Sequence, residues 1–255
     1  MDNQRKKRII VESASKRFNI GYKGGESVLA RIVNIFSGKE QKRELVAANN
    51  VSIEVFEGEV IGVIGRNGSG KSTLLRLIAG IYKPSTGLID VRGDIMYLHG
   101  SNHGIRFRLT MRENIFLACS VMGLKKDEVA EEFDDIVDFA GLNEFVDTKV
   151  YQFSSGMVSR LSFSIFVHCV GKRLPDVIIL DEVLSAGGDL NFRDKVLSKI
   201  QELLERKATV FIASHQLNDI EKYCSRALWI EKGALKEDGR PADVINKYKS
   251  FCKIN

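Results

Sequence analysis

Residues 65–72 read Gly-Arg-Asn-Gly-Ser-Gly-Lys-Ser, the spacing G-x-x-x-x-G-K-[ST]. Closely spaced glycines let a backbone bend so that several N–H groups converge on one anion, and a helix starting there adds positive potential. In such a loop Lys71 reaches the β- and γ-phosphates of a nucleotide and the Ser72 hydroxyl coordinates Mg²⁺. Gly65, Arg66, Asn67, Gly68, Ser69, Gly70 and Thr73 complete the expected nucleotide contact. Two carboxylates, Asp181 and Glu182, close the apolar run 177–180. An acid at the tip of a buried strand is costly unless it has a partner. Asp181 would bind the cation held by Ser72, and Glu182 would polarise the water that attacks the γ-phosphate. His215 follows the apolar run 208–213, where it can contact that phosphate and hold the same water. Ser154, Ser155 and Gly156 open an apolar helical pattern. They read first as an ordinary N-cap, and also as a second anion site that would have to face the first.

These groups need elements to hold them. The run 60–64 predicts a buried parallel strand feeding the loop, and 72–79 the helix behind it. Strands are expected at 8–12, 45–55, 177–180, 208–213 and 227–231, with a β-rich stretch over 88–98 after the turn Pro84-Ser85-Thr86-Gly87. Residues 108–171 read as mainly helical, one helix opening at Lys125 and closing at Gly141. Further helices are expected over 190–206, 217–224 and 241–251. Leu29, Ile32, Val33 and Phe36 fall at i, i+3, i+4 and i+7, an amphipathic stripe over 28–36. The order of elements predicts an α/β fold with a mainly parallel core sheet, an antiparallel edge and an inserted helical block.

The composition narrows the setting. The 255 residues are 44% hydrophobic, enough for a sizeable core, and the net charge is +5. That charge is too modest and too scattered for a nucleic-acid surface, so no nucleic-acid partner is expected. Cys119, Cys169, Cys224 and Cys252 form no C-x-x-C pair, and the four histidines show no metal-ligand spacing. Thiols of a reducing cytosol are expected instead. No run of apolar residues is long enough to cross a bilayer and no leader pattern opens the chain, so any membrane role would pass through a partner.

Taken together and in this order, the motifs resemble the ATP-binding cassette of ABC transporters, over about residues 9–250. In that resemblance residues 65–73 are the Walker A loop, 177–182 the Walker B strand and His215 the switch histidine. Residues 153–157 are a variant signature motif in which Ser155 and Met157 replace the usual Gly and Gln. Tyr22 becomes the aromatic that stacks on adenine, with Phe18 a poorer candidate. Ser154–Met157, the run from Asp181 to Gly187, and Arg112-Glu113-Asn114-Ile115 are similar to one subfamily, the ATPase subunits that export O-antigen, capsule or teichoic acid. The resemblance implies a P-loop NTPase fold with a RecA-like parallel core, an antiparallel β subdomain and a helical subdomain at about 108–171. One cassette over 1–255 is expected, with no C-terminal carbohydrate-binding domain. It implies ATP and Mg²⁺ as cofactors, hydrolysis coupled to transport, and a head-to-tail homodimer with ATP between Walker A of one chain and Ser154–Gly156 of the other. An integral membrane permease would receive the motion through 96–107 and the helical block. The cargo would be a lipid-linked polysaccharide and the location the cytoplasmic face of the plasma membrane. Segment 28–36 would either touch the lipid-linked cargo near the membrane or pack on the cassette.

Two departures stand out. The loop between sheet and helical block usually offers Gln or Glu, but 96–104 contains neither, and Leu98 or His99 falls at the expected place. Asp189, assigned to the dimer-contact loop, lies one residue later than the common spacing. The alternatives are a soluble cassette ATPase acting away from a transporter, or a P-loop kinase or GTPase. The last two would need neither Ser154–Gly156 nor the paired Asp181 and Glu182.

Overall fold

The computed structural model describes residues 6–20, 43–100, 104–183, 190–206 and 208–254. Tyr22, the stripe at 28–36 and the loop containing Asp189 lie outside the described residues. Six strands form the central sheet: β3 (Val60–Ile64), β5 (Ile95–His99), β6 (Val177–Asp181), β7 (Thr209–Ala213), β8 (Arg226–Glu231) and β9 (Ala234–Gly239). Their order is β5-β6-β7-β3-β8-β9, parallel except for the β8–β9 hairpin at one edge. A second, antiparallel sheet has the order β2-β1-β4, from β1 (Lys7–Ile20), β2 (Arg43–Phe56) and β4 (Thr86–Val91).

The unbroken apolar runs follow from where the central strands lie. Side chains alternate across a strand, so a strand covered on both faces must be apolar at every position. Ile178 and Leu180 enter one core while Val177 and Ile179 enter another; Val210 and Ile212, against Phe211 and Ala213, divide the same way. On the second face lie the helix α1 (Lys71–Ile78), through Leu74, Leu75 and Ile78, and the three-stranded sheet. On the first face pack α4 (Ser155–Lys172), α5 (Leu190–Glu205), α6 (Leu217–Tyr223) and α7 (Pro241–Ile254). The helical block adds α2 (Met111–Val121) and α3 (Lys126–Ala140), with its own core around Met111, Ile115, Ile136 and Leu161. Helix α4 contributes to both cores, which explains why apolar residues occur nearly all round it.

The structure refines several expectations. The first strand runs over 14 residues rather than 8–12. The β-rich stretch 88–98 is not one unit, because β4 joins the antiparallel sheet while β5 forms the edge of the central one. The Arg-Glu-Asn-Ile run has a structural use. Glu113 closes a capping box with Thr110 at the start of α2. Fully buried Asn114 donates to the carbonyls of Arg106 and Thr110 at 3.0 and 2.8 Å and accepts from the Arg106 N–H at 2.7 Å, pinning the preceding loop. Cys119, Cys169 and Cys224 are buried free thiols. Among the described residues no helix is long and apolar enough to cross a membrane.

Candidate functional site

The phosphate loop joins the C-terminal end of β3 to α1, the end of a parallel sheet where ligands collect. Gly70 precedes the helix at φ 108, and a Cβ there would meet the Ala47 carbonyl oxygen. Gly65, at φ 150, passes so close to the Ile230 carbonyl that no side chain fits. The loop is braced from behind: the N–H of Gly233 donates to Ser69 O at 2.7 Å. The cleft it forms has a volume of about 490 Å³ and is lined by Asn67 to Thr73, Glu182 and His215.

Lys71 is buried, and its ammonium donates to the carbonyls of Gly65 at 2.9 Å and Arg66 at 3.1 Å. Burial lowers its pKa from the ordinary lysine value, a shift opposed by the charges of Glu182 and Asp181. The Arg66 guanidinium turns the other way, 5.4 Å from the ring centre of Phe251 on α7. Arg66 therefore contributes to the loop through its backbone.

Asp181 ends β6 with no exposed surface. Ser72 Oγ donates to its Oδ1 at 3.1 Å. Tyr97 donates its hydroxyl hydrogen to Oδ2 at 2.9 Å, and His99 Nδ1 stands 2.8 Å from the same oxygen. Burial pushes the Tyr97 phenol well above its usual pKa, so the hydroxyl keeps its hydrogen. Ser72 and Asp181 present hard oxygen donors, the chemistry that suits Mg²⁺, which takes one or two protein oxygens and keeps the rest for phosphate and water. The residues fit that ion. Among the described residues no cluster of three or more His, Cys, Asp or Glu could hold a metal ion.

Glu182 leaves the strand in the left-handed region at φ 60, with its N–H bonded to Ala213 O at 3.0 Å. A non-glycine residue there costs roughly 1–3 kcal/mol and persists only when the surroundings enforce it. The turn aims its carboxylate at His215, with Nε2 to Oε1 3.0 Å. Both side chains are partly open to the cleft. A carboxylate and an imidazole in contact beside a phosphate loop can orient a water and take its proton.

Ser154, Ser155 and Gly156 do not line this cleft. Ser154 caps α4, its Oγ accepting from the Met157 N–H at 3.2 Å. Phe18 packs edge-on to Tyr82, ring centres 5.4 Å apart. Of the two candidates at the altered loop, Leu98 is buried in the core and His99 faces Asp181. Tyr97 escaped the sequence reading. The signal was present, since Tyr97 and His99 alternate on one strand, but nothing in the sequence says that β5 is the neighbour of β6.

A parallel sheet with a phosphate loop, a carboxylate facing the loop's serine and an inserted helical block define a P-loop NTPase cassette. The chain belongs to the ABC transporter family, whose model matches residues 48–185. It is similar to the teichoic acids export ATP-binding protein TagH of Bacillus anthracis, 42% identical over 81% of this chain and 37% of the relative. It is also similar to the O-antigen export system ATP-binding protein RfbB of Klebsiella pneumoniae, 38% identical over 81% of this chain and 82% of that protein. The chain spans 37% and 40% of the length of the TagH relatives from Bacillus anthracis and Bacillus cereus. Among solved structures, an ATP-binding subunit of an ABC transporter superposes with TM-score 0.72 at 21% identity, covering 95% of this chain and 93% of that one. A dimeric ATP-binding cassette in a post-hydrolysis state bound to ADP and Pi gives 0.69 at 22% identity, over 91% and 98%. These structural likenesses agree with the fold expected from the sequence.

Proposed function

We propose that the chain is the ATP-binding and ATP-hydrolysing subunit of an ABC transporter that exports a lipid-linked cell-surface polysaccharide of the O-antigen, capsule or teichoic acid type. The observation that carries the reading is the convergence of Lys71, Ser72, Glu182 and His215 on one cleft, with Asp181 buried against Ser72. The export named for the TagH and RfbB relatives supports the cargo class. Residues 65–73 would hold ATP, Ser72 and Asp181 would hold Mg²⁺, and Glu182 with His215 would handle the attacking water. Tyr22 stacks on adenine. Ser154–Gly156, outside the cleft of their own chain, supply a second helix N-terminus to the ATP of a partner copy. The homodimer works against an integral membrane permease at the cytoplasmic face of the membrane.

Replacing Glu182 by Gln tests the reading. The variant should bind ATP, fail to hydrolyse it and accumulate as a dimer with ATP and Mg²⁺ in size-exclusion chromatography. A variant that stays monomeric sinks the two-chain site. Isolation of the wild-type chain from membranes with a multi-span subunit, and loss of surface glycan on its deletion, test transport. Isolation without such a subunit favours the soluble ATPase.

A further inference from the structure

The carboxylate of Asp181 is held from two sides. On one side Ser72 reaches Oδ1 at 3.1 Å. On the other, two residues of β5 converge on Oδ2, Tyr97 at 2.9 Å and His99 at 2.8 Å. They can do so because β5 lies parallel to β6 with His99 directly opposite Asp181, and residues two apart share a face. Arg76 of α1 donates Nε to the Tyr97 oxygen at 3.2 Å and its other arm to the Tyr82 oxygen at 3.3 Å. The Tyr97 oxygen is thus occupied as an acceptor, which leaves its hydrogen for Asp181. The backbone follows: the N–H of Gly100 donates to the Asp181 carbonyl at 2.9 Å. Residues 96–104, most of β5 and the stretch that follows it, contain neither Gln nor Glu.

We propose that Tyr97 and His99 are positioning residues for Asp181, a clamp on Oδ2 that turns Oδ1 toward Ser72 and presents it to a divalent cation. The inference rests on the nucleotide-binding reading above. A carboxylate has a broad, roughly two-fold torsion at its last bond, so an unclamped Asp181 would spread over many orientations. The Tyr97 hydrogen bond and the His99 nitrogen packed against the far oxygen restrict it, and loss of such support to a metal-binding carboxylate typically weakens metal affinity about 10–100-fold. The clamp also places the cation's carboxylate in contact with the strand that runs on toward the helical block.

The test uses the full chain loaded with ADP and titrated with Mn²⁺, free ion being counted by electron paramagnetic resonance. Tyr97→Phe removes only the hydroxyl, and His99→Leu removes the nitrogen at similar bulk. Each should weaken Mn²⁺ binding about 10-fold, while ADP affinity in EDTA and the melting temperature hold. His99→Gln, which puts a polar amide back beside Oδ2, should recover most of the loss. Variants that bind Mn²⁺ like the wild type overturn the clamp. A loss that only tracks the melting temperature and the EDTA affinity also overturns it, because that is a packing defect. Failure of the wild-type chain to bind ADP and Mn²⁺ together would instead bring down the nucleotide reading and the clamp with it.

Discussion

Ser72 and Asp181 lie 109 positions apart in sequence, yet Ser72 Oγ sits 3.1 Å from Asp181 Oδ1. The contact spans the gap between the helix behind the phosphate loop and a strand two places away in the sheet. It joins a hydroxyl and a buried carboxylate, the two oxygens expected to share Mg²⁺. Asp181→Asn keeps the shape and removes the charge. Mg²⁺-dependent ATP turnover should fall on the order of 100-fold, a scale set by loss of one preorganised electrostatic partner. ATP binding in EDTA should persist. A steady-state assay at several Mg²⁺ concentrations checks this, and an unchanged Mg²⁺ dependence would remove Asp181 from the metal site.

Lys71 predicts a pH signature of the nucleotide-free protein. Burial lowers its folded pKa below the ordinary 10.5, so in the window between the two values the unfolded chain binds more protons. Stability therefore rises with pH through that window, and below it the full cost of charging a buried amine is present. Lys71→Met removes the effect. As pH rises toward 10.5 the melting temperature of the wild type should gain on that of Lys71→Met. Parallel curves from thermal denaturation would contradict this.

Glu182 and His215 are in contact at 3.0 Å, and in the proposed function both act on one water. His215→Ala should lower turnover about 100-fold or more, the range for a positioned acid or base, with ATP affinity nearly unchanged. His215 is partly exposed, so the melting temperature should move little. Equilibrium binding of ATP beside single-turnover hydrolysis separates the two effects, and an equal loss in both would make His215 a binding residue.

Much of this site was legible in the sequence because its parts are local. A buried strand, a glycine turn and a helix follow one another over 60–79, and each has its own periodicity. The runs 177–180 and 208–213 were equally clear, since a strand covered on both faces is apolar throughout. Tyr97 was not legible. Its role depends on β5 lying beside β6 and on a contact between residues 84 apart, and periodicity carries no information about strand order. The split of 88–98 between two sheets was hidden for the same reason. A three-residue connection, Arg92-Gly93-Asp94, reads alike whether the chain returns to its own sheet or crosses to another.

Gly156 offers the sharpest test of a site shared between two chains. A Cβ at this position would meet only Ser154 Oγ, at 3.9 Å, and the residue does not have a positive φ. Within one chain Gly156→Ala is therefore free of strain. As a helix substitution it should leave the protein equally stable, or more stable by up to about 1 kcal/mol. In the proposed dimer the same atom lies where the backbone of α4 must approach a γ-phosphate held by the other chain, and there an added methyl group obstructs. Gly156→Ala should keep ATP affinity in the monomer, hold its melting temperature, and lose ATP-driven dimerisation together with most turnover. Sedimentation with and without ATP, in the Glu182→Gln background, reads this directly. If Gly156→Ala dimerises as well as its parent, residues 154–156 serve only as the cap of α4.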